Sequence, residues 1–166
     1  MVNLLNFAFF QIGWFLTAYC AIYDLNLISS IFIITLSAFY IKRSSKPKVK
    51  IKLFVFAAIL GFLVDSILIQ LNSFSMAQVD SRVSPLFMIL LWVNFIATFD
   101  YSLKWIHNYK KIAVVFALIG APLTYYMGAK IGVIVLNQSL FYSMFWIAIA
   151  WGISILILMK AYNKWH

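Results

Sequence analysis

The segment Leu53 to Leu71, LFVFAAILGFLVDSILIQL, is long and apolar enough to cross a bilayer, yet a carboxylate, Asp65, stands inside it. Its thirteen Leu, Ile, Phe or Val residues favour insertion by about 0.3 to 0.6 kcal/mol each, which outweighs the roughly 2.5 to 3.5 kcal/mol that one central Asp costs. The segment should therefore insert as a helix. Asp65 then lies about 18 Å from Leu53 and about 9 Å from Leu71, inside a hydrocarbon core of about 30 Å. Gly61, four residues earlier, and Asn72, seven later, share its helical stripe. The rest of the helix surface is apolar, which predicts lipid on most sides and a protein partner on one.

The remainder of the chain repeats the apolar theme. It is 65% hydrophobic and only 10% charged, against about 25% charged in soluble domains. A soluble fold could not hide that much apolar surface. The expected class is an all-α, polytopic integral membrane bundle forming one transmembrane domain over residues 1–166. About six helices fit the length. They run from about Val2 to Ile22, Leu25 to Ile41, Leu53 to Leu71, Pro85 to Tyr101, Ile112 to the Gly128–Gly132 region, and Ser139 to Met159. Pro47 separates the second helix from the third. Pro85 suits a first helical turn, and Pro122 should kink the fifth helix. Ile131 to Leu136 is too short to span and is expected at the interface. No cleavable signal peptide is expected, because the start lacks a basic region and a small-residue cleavage site.

The net charge of +9 does not point to nucleic acid, because the basic residues fall between apolar runs. Eleven of the thirteen lie on one side of a six-span topology: Lys42, Arg43, Lys46, Lys48, Lys50 and Lys52, then Lys104, Lys110 and Lys111, then Lys160 and Lys164. Only Arg82 and Lys130 lie on the other. This bias places both termini in the cytoplasm. The loop from Lys42 to Lys52 reads as a cytoplasmic basic loop that sets topology, with anionic lipid contact as a by-product. Four crossings with a re-entrant N-terminal pair would leave the later parity unchanged.

At these depths Asp65, Asn94, Thr17, Thr124 and Tyr125 could converge on one intramembrane polar site. Asp65 would act there as a proton carrier or counter-ion, or would simply fix packing through Asn94 or a hydroxyl. No basic residue lies deep in another span, so Asp65 is expected to carry its proton. A second polar group stands at the cytoplasmic face: Asp100 and Lys104 at i, i+4 spacing, with His107, Asn3 and Asn6. A structural ion pair is the favoured reading there, with an acid–base site as the alternative. The single Cys20 excludes an internal disulfide and reads as a packing residue. With His107 and His166 the only histidines, neither a metal site nor any cofactor is expected. No catalytic residue is assigned. The tryptophans, Trp92 and Trp151 among them, read as interface anchors or packing residues.

At GFLVDSIL (Gly61 to Leu68), PLFMILLWVNFIATFDYSLKW (Pro85 to Trp105) and GAPLTYYMGAKIG (Gly120 to Gly132), the chain resembles a family of small bacterial inner-membrane proteins, domain of unknown function family 2878. The resemblance covers nearly the whole chain. Asp65, Trp92, Pro122, Tyr125 and Gly128 match the family pattern, whereas Asn and His commonly stand where this chain has Asp100 and Tyr101. The resemblance implies a multi-pass protein of the bacterial inner membrane without assigned activity. The family's genes often lie beside those for fatty-acid modification, including cyclopropane fatty-acid synthase. The expectation is an accessory or lipid-interacting protein without its own chemistry, linked to acyl-chain modification or handling. Its partners would be membrane lipids, with other membrane proteins or lipid-modifying enzymes as further candidates. A small proton-coupled transporter or lipid flippase using Asp65 is the alternative, and an intramembrane enzyme is the least supported.

Overall fold

The computed structural model describes residues 2–165, so His166 lies outside the described residues. The described residues form six α-helices: α1 (Val2–Ile22), α2 (Asn26–Arg43), α3 (Pro47–Gln70), α4 (Leu86–Ile96), α5 (Lys110–Lys130) and α6 (Leu140–Trp165). Among the described residues, α1, α3, α5 and α6 are long and apolar enough to cross a membrane. Large apolar side chains point outward, with Leu27 73% and Phe141 80% exposed. Water would penalise such a surface at about 25 cal/mol per Å², whereas lipid does not, which makes this a membrane protein.

The ends of the bundle differ. At one end, the start of α1 meets the end of α2, as Asn6 Nδ2 donates to the Tyr40 hydroxyl at 2.9 Å. The start of α3 and the end of α6 meet there too, through Lys50 and Tyr162. This is the basic end. At the other end, β1 (Ser75–Met76) after α3 pairs antiparallel with β2 (Ile134–Val135) after α5. Tyr142 donates to the Leu71 carbonyl at 3.1 Å and Ser143 to that of Ser73 at 2.7 Å. This is the ribbon end. Ile131 to Leu136, expected at the interface, contributes β2 to this ribbon.

Three helices depart from the expected lengths, and one of them, α6, runs six residues past Met159 to Trp165 and takes Lys160 and Lys164 into the helix. The helix expected from Leu53 begins six residues earlier, because Pro47 occupies the first turn, where its missing N–H costs nothing. Lys50 is thereby drawn into α3 and buried, so it is not part of a solvated loop. The α4 helix ends at Ile96 rather than near Tyr101, and turns lead to a short 3-10 helix, Lys104–His107. At eleven residues α4 is about 16 Å long. The break is internally satisfied. Thr98 donates its hydroxyl to the Phe95 carbonyl at 2.6 Å, and the Leu103 N–H bonds to the Thr98 carbonyl at 2.9 Å. Asn6 reaches in from α1, where its Oδ1 accepts the Ser102 hydroxyl at 2.7 Å. Thr98 and Phe99 are buried. Irregular backbone at membrane depth persists only where protein covers it in this way.

Candidate functional site: a lateral groove with Asp65 at its floor

Asp65 is fully buried on α3, and both its oxygens are engaged. Trp92 of α4 donates its indole N–H to Oδ2 at 2.9 Å, and Tyr125 of α5 meets Oδ1 at 2.5 Å. Trp151 of α6 stacks on Trp92 with ring centroids 4.2 Å apart and brings its indole N–H within 3.4 Å of the Tyr125 hydroxyl. The carboxyl thus ties α3, α4 and α5 directly, and Trp151 brings α6 onto its two partners. Gly61 makes the arrangement possible: a Cβ there would stand 2.2 Å from Cγ of Trp92. The stripe holding Gly61 and Asp65 therefore offers the indole ring a flat seat and, one turn on, an acceptor. An indole N–H only donates, which fixes the Trp92 contact. The Tyr125 hydroxyl can donate to a carboxylate or accept from a carboxylic acid, so the contact suits either protonation state of Asp65.

The expected convergence of Asp65, Asn94, Thr17, Thr124 and Tyr125 divides into three parts. Tyr125 touches Asp65 directly. Asn94 instead donates to the Phe10 carbonyl at 3.0 Å and lies against Gly13, joining α4 to α1. Thr124 is exposed and gives its hydroxyl to its own helix, to the Gly120 carbonyl at 2.8 Å. Thr17 is buried with no hydrogen-bond partner for Oγ1 among the described residues. Residue types and depths pointed to Tyr125. They did not point to Trp92 as a ligand of Asp65, although the Gly61–Asp65 spacing marks a place where a large ring fits. Around Pro122, α5 is continuous from Lys110 to Lys130.

Asp65, Trp92, Thr17, Thr124 and Tyr125 line one cavity of about 330 Å³, within the usual range for small-molecule sites. It is a groove between α1 and α5 with α4 as its floor, and exposed Phe7 and Phe116 line its edges. Aromatic side chains dominate one wall, with Phe10, Trp14 and Phe95. The space arises on the other wall, where α5 presents Ala113, Ala117, Gly120 and Ala121. A Cβ added at Gly120 would meet nothing within 4 Å. The groove runs toward the basic end as far as Leu103 and Ile106, and toward the ribbon as far as Val133 and Ile134.

At the basic end, Asp100 does not pair with Lys104. Its Oδ2 accepts from Lys50, and its Oδ1 accepts the Tyr162 hydroxyl at 2.6 Å. The i, i+4 geometry required α4 to stay helical through Lys104, and the break at Ala97 removes it. His107 stacks on Tyr162 at 4.1 Å, with Nε2 3.3 Å from the Phe99 carbonyl. Aromatic rings surround the Lys50 ammonium, with Phe54 centred 5.0 Å away and Tyr40 and Tyr101 each 5.9 Å away. The expected basic loop is mostly helix: Lys42 and Arg43 end α2, Lys48 and Lys52 lie with Lys50 in the start of α3, and only Lys46 stands between the helices. Arg43 lies over Phe39 at 5.7 Å and Lys52 over Trp165 at 4.2 Å.

A family profile described as protein of unknown function (DUF2878) matches residues 3–157. The chain belongs to that family. No curated protein and no solved structure matches it.

Proposed function

We propose that this protein handles membrane lipid by holding a hydrocarbon chain in the groove between α1 and α5, without chemistry of its own, as an accessory to acyl-chain modification. One observation carries the reading: a lateral, aromatic-walled groove follows α5 from Ala113 to Gly128, about 22 Å at helical rise. A transmembrane helix of a partner is a poorer occupant. Helix docking favours small residues on both walls, whereas Phe10, Trp14 and Phe95 line this groove opposite the small residues of α5. In this reading the protein lies in the bacterial inner membrane with six crossings and both termini cytoplasmic. The eleven-to-two split of basic residues supports that orientation.

The test is photo-crosslinking in nanodiscs with a phospholipid carrying a diazirine at the end of one acyl chain. Labelling of the α1 and α5 segments that line the groove is expected, and Gly120→Leu, which fills the groove, should abolish it. Labelling confined to outward residues such as Phe141 sinks the reading. A reporter fused at Gln78 tests the orientation, and a cytoplasmic signal there would overturn it.

A fully buried carboxyl in a membrane-length helix favours a second reading, proton-linked transport or lipid flipping with Asp65 as carrier. Asp65→Asn keeps the shape and removes titration. Full function in that variant ends the carrier idea, and loss of function in a folded variant ends the idea of packing alone.

A further inference from the structure

The groove is not uniform along its length. Thr17, Asp65 and Tyr125 each stand five residues before the ribbon end of their helices, α1, α3 and α5. They therefore share one depth, about 7.5 Å from the helix ends. From Tyr125 toward the basic end, the walls are almost wholly apolar as far as Ala113, about 18 Å along α5. Thr98 lies in that stretch, but its hydroxyl bonds its own backbone, as that of Thr124 does. Thr17 differs: the residue is 1% exposed and lines the groove, and its hydroxyl has no partner among the described residues. A buried hydroxyl without a partner forfeits a hydrogen bond and calls for an explanation. A ligand atom in the groove would supply the missing partner.

The charge of that ligand atom is constrained too. Among the described residues no Lys, Arg or His lines the groove, and its one carboxyl is that of Asp65. A phosphate or carboxylate seated there would lose its water, gain no counter-charge and face a carboxyl group. We propose that Thr17 and the Asp65–Tyr125 pair form a polar subsite at one level of the groove. Its ligand is a long-chain amphiphile whose head is a small uncharged oxygen group, with its tail running toward Ile106. This rests on the groove reading above and adds to it a headgroup class and a direction.

The experiment uses the full chain in nanodiscs and three probes, each with a diazirine at the far end of the chain: cetyl alcohol, cetyl phosphate and the matching hydrocarbon without an oxygen. The alcohol is expected to label the Ile106 and Phe116 segments most strongly. Thr17→Val should lower that labelling roughly fivefold, about the worth of one hydrogen bond, and Thr17→Ser should restore it. Equal labelling by the hydrocarbon, indifference to Thr17→Val, or equal labelling by the phosphate each overturns the polar subsite while leaving the groove reading intact. Failure of all three probes to label the groove overturns both.

Discussion

Asp65 and Asp100 make a natural comparison, because each accepts a tyrosine hydroxyl at nearly the same distance, 2.5 Å from Tyr125 and 2.6 Å from Tyr162. Their second partners differ in kind. Asp65 takes the neutral N–H of Trp92, while Asp100 takes the ammonium of Lys50. Depth accounts for the difference. Lys50 stands in the first turn of α3 and is 2% exposed, while Asp100 is 17% exposed, so the charged pair keeps water only on its carboxylate side. Asp65 lies deep in the same helix with no exposure, where a full ion pair would have to be stripped of water on both sides. One protein thus uses neutral hydrogen bonds where the groove runs and an ion pair where the chain turns.

The largest effect is expected from breaking the ion pair on one side. Lys50→Met removes the ammonium from which Asp100 accepts and should cost about 3 kcal/mol, measured by unfolding in detergent. Adding Asp100→Asn, which removes the charge and keeps an acceptor for Tyr162, should recover most of that loss. No recovery would mean that the pair does more than balance its own charge. Gly61→Ala comes next. The new methyl meets a Trp92 ring already pinned by Asp65 and Trp151, and overpacking of this kind costs about 1 to 3 kcal/mol.

Smaller effects are expected at the neutral site. Tyr125→Phe and Asp65→Asn should each cost about 1 kcal/mol, the net value of one hydrogen bond. Measured together in a double-mutant cycle, the two should couple rather than add. Strict additivity would show that the short contact contributes nothing of its own. The smallest effect on stability belongs to Gly120→Leu, which enters empty space and should leave unfolding unchanged or slightly improved. Its effect on chain labelling should nonetheless be the most complete of the set.

The comparison also marks what could be read from the residues alone. The membrane-length segments and the exceptional position of Asp65 follow from hydropathy and helical rise, which are properties of contiguous residues. Tyr125 was reachable because depth along a helix can be counted from its ends. Trp92 was not, since it looks like any interface tryptophan until α4 is known to lie against the Gly61 stripe. The Lys50–Asp100 pair was hidden for two reasons. Pro47 starts α3 early enough to bury a lysine that resembles its exposed neighbours, and the break at Ala97 turns Asp100 away from Lys104. That break has no proline or glycine to announce it. It depends on Asn6 of α1 accepting from both the N–H and the hydroxyl of Ser102, and on Thr98 bonding the Phe95 carbonyl within the break.

The two-residue ribbon at the end opposite the lysines carries a consequence for biogenesis. Its first strand, Ser75–Met76, is synthesised directly after α3, but its partner, Ile134–Val135, follows only after α5. During synthesis the first strand therefore waits with an open edge while two more helices are laid into the bilayer. Ile134 is itself part of the groove wall, so the clasp and that stretch of wall are completed in the same late event. A nascent chain released just after α5 would carry nearly all the groove-lining residues and still lack the closure that finishes one end of the groove.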